Sequence, residues 1–320
     1  MWTGVSLIAT VRNEEETIGA LLDSILEQTR RPDEVVINDG GCTDRTMEIV
    51  EGYRGRLPLR TTAGGENIPQ GRNTAVRAAT SPLIACTDAG LRLDPRWLEE
   101  IVAPLERGEA DLVAGFFRAD PHSPFERILG AVNYPRLAEI RPERFLPAGQ
   151  SLAFRKEVWE AVGGFPEDLP YGEDLVFARR AQAMGFRQAF APTAVVHFRP
   201  RSSLAALFRQ YRNYAYGDGL AGLWPLRHAL RYGSYAVGLG LLVAGAWWPY
   251  LWVLLGLGGM AYLRRYYGRL WPVLGELSPS WRVGALFLLP LIRLTGDVAK
   301  MVGYPAGLWE RWGRRTGRQA

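Results

Sequence analysis

At 320 residues the chain has room for one large domain or a domain with an appendage, and a composition of 48% hydrophobic and 22% charged residues excludes bulk disorder. Arginine carries the net charge of +5, with Lys156 and Lys300 the only lysines. No zinc-finger spacing or nucleic-acid-binding signature accompanies that charge, so nucleic acid is not an expected partner.

Cys42 and Cys86, the only cysteines, cannot build a disulfide framework. The opening "MWTGVSLIATVRNEEE" has neither the basic start nor the long apolar core of a secretory signal, so the front of the chain is expected to stay in the cytoplasm. From there "VSLIAT" reads as a short buried strand. "NEEETIGALLDSILEQT" reads as a helix, with Ile18, Leu21, Leu22, Ile25 and Leu26 on one face. "RPDEVVIND" gives a second strand, "GGCTDRTMEIVEGY" a turn into a second helix, and "LPLRTT" a third strand. "QGRNTAVRAAT" is then a helix and "PLIACT" a fourth strand. Strands and helices alternating at this spacing predict an α/β fold, a mostly parallel sheet with covering helices. Further on, "DPRWLEEIVAPLERG" is helical and "ADLVAGFFRAD" a strand. The proline- and arginine-rich stretch 121–147 gives no clear period. "QSLAFRKEVWEAVGGF" predicts strand then helix, "GEDLVFARRAQAMGF" a helix, "TAVVHFRP" a strand, and "SSLAALFRQYRNYAYGDG" an amphipathic helix.

The character changes after residue 220. No charged residue occurs over 232–263, a run longer than the roughly 20 residues that cross a bilayer as a helix. Trp247, Trp248, Tyr250 and Trp252 cluster around Pro249 in its middle, so it reads as one tilted transmembrane helix or as a hairpin turning at Pro249. Arginines flank it on both sides, at Arg227, Arg231, Arg264 and Arg265, which favours the hairpin slightly. A second apolar block over 283–292, followed by Arg293, Asp297 and Lys300, fits an interfacial helix. The tail "RWGRRTGRQA" suits anionic lipid headgroups. The expected organisation is a catalytic domain over 1–220, closing with an interface helix near 202–216, and a C-terminal hydrophobic, membrane-associated helical region over 221–320.

In an open α/β sheet, ligands bind beyond the carboxyl ends of the strands. There the chain places Arg12, Asn13 and Glu14, then Asn38 and Asp39, then Asp88. The dinucleotide fingerprint GxGxxG is absent after the first strand, and so is the phosphate loop GxxxxGK[ST]. Carboxylates stand where those folds use glycines, and carboxylates suit a base N–H, ribose hydroxyls or a metal bridging to a diphosphate.

The stretches "ATVRNEEETIGALLDSILEQT", "EVVINDGGCTDRTMEIV", "QGRNTAVRAATSPLIACTDAG" and "FRKEVWEAVGGFPEDLPYGEDLVFARRAQAMGF", in this order, resemble the family-2 glycosyltransferases with the A-type nucleotide-sugar-binding fold. The continuation "VVHFRPRSSLAALFRQYRNYAYGDG" resembles a bacterial membrane-associated subgroup. The resemblance implies an inverting transferase that moves a sugar from a nucleotide-diphosphate donor to a hydroxyl of a lipid or lipid-linked acceptor, with a soluble or polysaccharide acceptor as the alternative. It implies nucleotide-binding roles for Thr10, Glu14, Asp39, Arg72 and Asp88, and a catalytic base at Asp174 with Glu173 beside it. Gly149, Gln150, Gln210 and Arg212 would serve the acceptor and diphosphate. A processive synthase is disfavoured, because "RQYRNY" lacks the spacing and the tryptophan of the Q-x-x-R-W segment. It further implies a divalent metal, Mg²⁺ or Mn²⁺, at Asp88. However, Gly90 stands where the second aspartate of the family's D-x-D motif normally sits, which leaves His197, water or arginines to complete the site. A non-catalytic sugar-nucleotide-binding subunit is the rival reading, and the base at Asp174 speaks against it.

Overall fold

The computed structural model describes residues 4–317, so the first three residues and the last three of the basic tail lie outside it. Two compact units emerge. One comprises residues 4–120 and 136–199, the other residues 121–135 and 200–317.

The first unit is an eight-stranded sheet in the order β3-β2-β1-β4-β7-β6-β8-β5, with helices on both faces. Its strands are β1 (Val5–Val11), β2 (Glu34–Asp39), β3 (Leu59–Ala63), β4 (Leu83–Thr87), β5 (Leu91–Leu93), β6 (Leu112–Ala119), β7 (Ser151–Arg155) and β8 (Gln188–Phe198). The expectation of a mostly parallel sheet holds for the first half only. β1 runs parallel to β2 and β4, and β2 to β3. β7, however, enters antiparallel between β4 and β6, β8 returns parallel to β6, and β5 pairs antiparallel with β8, so the sheet is mixed. The covering helices are α1 (Ile18–Leu26), α2 (Thr46–Glu51), α3 (Ile68–Ala78), α4 (Trp97–Glu106), α6 (Lys156–Val162) and α7 (Glu173–Ala183).

Alternation along each strand supplies both faces. Val5, Leu7, Ala9 and Val11 of β1 join one apolar layer with Leu21, Leu22, Trp97 and Leu98 from α1 and α4. Ile8, Val36, Ile84 and Cys86 turn to the opposite layer, with Val76, Phe154, Phe165 and Phe177. At roughly 1.5–3 kcal/mol per fully buried large apolar side chain, these two layers fix the strand register and so the positions of the strand ends.

The second unit is helical: α5 (Pro124–Asn133), α8 (Leu204–Ala221), α9 (Pro225–Ala244), α10 (Tyr250–Leu274) and α11 (Pro279–Arg315). Its core gathers Ile128, Leu129 and Val132 of α5 with Leu207, Leu270, Leu289 and Ile292. Those contacts explain why part of the unpatterned stretch 121–147 groups with the helices that follow residue 199. α11 lies close along α8 because glycines face its carbonyls: a Cβ at Gly303 would overlap the carbonyl of Arg212, and one at Gly307 that of Tyr216.

The expected transmembrane helix does not form. The charge-free run breaks at 245–249, and no described helix is long and apolar enough to cross a membrane. Arginines at the outer ends of α9 and α10, and glycines within both, dilute the apolar stretch of each helix. The two helices fold back on each other, with Trp252 Nε1 donating to the Leu242 carbonyl at 3.0 Å.

Candidate active site

In the first unit a buried arginine ties together carboxylates far apart in sequence. Arg72, in the middle of α3, is 3% exposed. Its Nη2 donates to Asp88 Oδ1 at 2.5 Å, just past the end of β4, and its Nη1 donates to Glu173 Oε1 in the first turn of α7. Gly149 packs against the face of the guanidinium, leaving no room for a side chain at that position. The Gly149 amide donates to Asp174 Oδ2 and the Leu175 amide to Asp174 Oδ1, both at 2.8 Å. Asp88, Arg72, Gly149, Glu173 and Asp174 therefore form one connected patch.

Electrostatics governs Glu173. Burial pushes Glu173 up to about 7, the neighbouring Asp174 adds to the shift, and Arg72 only partly offsets it. Asp174 is more open, with its carboxylate held by two backbone amides. Arg72 stays protonated: burial opposes its charge, but Asp88 and Glu173 outweigh it.

The ends of β1 and β2 supply the rest. The Asp39 carboxylate accepts the Gly41 and Cys42 amides at 2.9 and 2.7 Å. Burial raises its pKa, but these hydrogen bonds prevail and hold it below the usual carboxylate range. Glu14 accepts from the Thr17 hydroxyl at 2.5 Å, and its amide donates to Thr46 Oγ1 at 2.7 Å. The Thr10 hydroxyl is buried without a hydrogen-bond partner. Gly90, at φ +75°, lies beside the Glu14 carboxylate and Thr17. Gln150 enters through its backbone, its carbonyl accepting from the Thr87 hydroxyl at 3.2 Å.

Two expected residues lie in the helical unit. On α8, Gln210 donates to the Tyr214 hydroxyl at 3.0 Å, and its Oε1 is buried without a partner. Arg212 is exposed and donates to Asn213 at 3.3 Å.

The metal expectation does not fit this donor set. Asp88 already pairs with Arg72, Gly90 offers no ligand atom in its side chain, and among the described residues no group of three or more His, Cys, Asp or Glu side chains could hold an ion. His197 stands on β8 opposite Arg92 and Arg118, with Asp94 at 3.9 Å, and burial and Arg92 depress its pKa.

The sequence reading passed over Asn73, which follows Arg72 in "GRN". Its side chain donates to the Phe165 carbonyl and Glu167 and accepts from Trp159 and the Phe165 amide. It pins the loop before α7 to α3, and its only sequence signal is its place next to Arg72.

A sheet of this order, with its carboxylates at the strand ends and at the start of α7, is the A-type glycosyltransferase arrangement. Residues 6–190 match Glycosyl transferase family 2, and the chain belongs to that family and is a glycosyltransferase. It is 27% identical to glycosyltransferase AglE of Haloferax volcanii over 75% of this chain and 80% of that one. It is 25% identical to dodecaprenyl-phosphate galacturonate synthase of Rhizobium johnstonii over 93% and 87%. The fold is shared with mannosyltransferase PcManGT from Pyrobaculum calidifontis, solved in complex with GDP-Man and Mn²⁺, at a TM-score of 0.60 and 22% identity over 97% and 88% of the two chains.

Proposed function

We propose that the protein transfers a sugar, with inversion, from a nucleotide-diphosphate donor to a hydroxyl of a lipid or lipid-linked acceptor at the cytoplasmic face of a membrane. The observation that carries this reading is the patch in which Arg72 joins Asp88, on the donor side, to Glu173 beside the base Asp174. Asp39, ionised and held by two amides, accepts the N–H of the nucleobase, and Glu14 and Thr10 face the nucleoside. Asp174 takes the acceptor proton as the hydroxyl oxygen attacks the anomeric carbon. The bond to the diphosphate breaks on the opposite face, and the nucleoside diphosphate leaves with the electron pair. Asp174 needs only to accept a proton as the new bond forms, which fits its two amide hydrogen bonds and partial exposure. Arg72 fixes Asp88 and Glu173 in place. A nucleotide-sugar donor accords with family membership and with the GDP-Man of PcManGT.

The lipid side of the reading rests on the exposed tryptophans of the second unit and on the dodecaprenyl-phosphate in the name of one relative. The test is calorimetric titration of detergent-purified protein with UDP, GDP and their sugars, with Mg²⁺ or Mn²⁺ and with EDTA. Donor binding is expected to weaken in Asp88→Ala. Asp174→Asn should keep donor binding and lose transfer by about 10²–10⁴-fold. Failure to bind any nucleotide sugar would overturn the proposal, and binding without turnover on any acceptor would leave a non-catalytic subunit.

A further inference from the structure

The two oxygens of the Asp39 carboxylate have different tasks. Asp39 closes β2 beside Val11, the last residue of β1. Its Oδ1 accepts both the Gly41 amide at 2.9 Å and the Cys42 amide at 2.7 Å. Gly41, at φ +90°, turns the chain so that these amides converge on the one oxygen. A carboxylate oxygen offers about two lone-pair sites, so Oδ1 is fully used by the turn. Oδ2 receives no N–H or O–H from the described residues. The Cys42 thiol, close enough to favour the charged form, aims its hydrogen at the Val11 carbonyl at 3.7 Å. Burial raises the pKa of Asp39, but the hydrogen bonds prevail, so the group is ionised at neutral pH and can only accept. Asp39 therefore presents a ligand with one open acceptor oxygen and no donor.

Nucleobases meet such an edge differently. Uracil and thymine carry a single N–H between two carbonyls, which Oδ2 satisfies and which asks for no second acceptor. Guanine carries two N–H groups side by side. Donating one to Oδ2 aims the other at Oδ1, where no lone pair is left. Cytosine and adenine carry an amino group next to a bare ring nitrogen. Bringing the amino N–H to Oδ2 sets the lone pair of that nitrogen against the carboxylate. A polar group left unmatched in this way weakens binding roughly tenfold or more, and a site built around one N–H rejects ligands that lack it.

We propose that Asp39 selects an imide pyrimidine, uracil or thymine, as the nucleobase of the sugar donor. This rests on the transferase reading above and names the chemical class of its donor. The test is calorimetric titration of the detergent-purified full chain with UDP, dTDP, GDP, ADP and CDP. UDP, dTDP or both should bind at least tenfold more tightly than the other three. In Asp39→Asn the side-chain oxygen must still accept the Gly41 and Cys42 amides, which forces Nδ2 into the place of Oδ2. That N–H opposes the N–H of uracil and matches the bare ring nitrogen of cytosine, so the variant should bind CDP more tightly than UDP. GDP binding the unaltered chain as tightly as UDP and dTDP would overturn the selection and leave the transferase reading standing. A variant that loses affinity for every nucleotide by one common factor, with their order kept, would make Asp39 a residue of the turn alone and overturn it equally. Binding of none of the five to the unaltered chain would strike the transferase reading, and the selection with it.

Discussion

Arg72 is the residue on which the candidate site turns, because removing its charge would leave two carboxylates without their shared counter-ion. Its packing makes Gly149 equally constrained. In Gly149→Ala the new methyl meets the guanidinium, and overpacking of this kind costs about 1–3 kcal/mol. A lower thermal midpoint together with weaker donor binding is expected; unchanged values would mean that Arg72 can move aside freely. Glu173 gives a pH signature. Its pKa is raised from 4.5 to about 7 in the folded protein, so between these values the native state binds more protons than the unfolded one. Stability then falls as pH rises through that window, the opposite of the usual carboxylate. Denaturant titrations across it should show this slope, and Glu173→Gln should remove its share. An identical slope in the variant would mean that the group ionises normally. The sequence revealed these carboxylates through their places after strands and before a helix. It could not show that Arg72, at position 72, reaches position 173, because that contact exists only once α3 and α7 pack on the same face.

At the scale of elements, the first three strands were legible because alternating apolar runs and intervening helices leave little freedom. β5 was not, since three residues carry no period, and α5 was not, since its apolar face is defined by helices more than 70 residues later. The antiparallel entry of β7 was equally hidden: a buried strand reads alike in either direction. The α8–α11 contact depends on glycines whose role no local pattern announces. Gly307→Leu should destabilise the helical unit by about 1–3 kcal/mol, through overlap with the Tyr216 carbonyl. Gly240→Ala on α9, where a Cβ meets nothing within 4 Å, should be neutral or stabilising by about 0.5–1 kcal/mol. Thermal unfolding of the pair distinguishes close helix contact from a loose bundle, in which both changes would be tolerated alike.

For the whole molecule, the question is what covers the apolar surface of the second unit. Trp247 is 71% exposed, Tyr250 64% and Trp248 55%, and exposed leucines and valines extend from them along α9 and α10. Contiguous apolar surface of this kind marks an interaction site, and tryptophan at its tip suits the boundary between lipid and water. Neither helix is long and apolar enough to cross a bilayer, so the lipid acceptor proposed above would make this surface an interfacial hairpin, with Arg227, Arg231, Arg264 and Arg265 flanking the apolar run. Apolar burial and arginine attraction to anionic headgroups then contribute together, and only the second is screened by salt. Flotation with phosphatidylglycerol vesicles separates them. Trp247→Gln, Trp248→Gln and Trp252→Gln combined should lower bound protein at least tenfold at any salt concentration. Arg264→Gln with Arg265→Gln should weaken binding mainly at low salt. If the tryptophan variant floats as well as the unaltered chain, the apolar surface faces a protein instead of a bilayer, and the lipid-facing acceptor loses its main physical support.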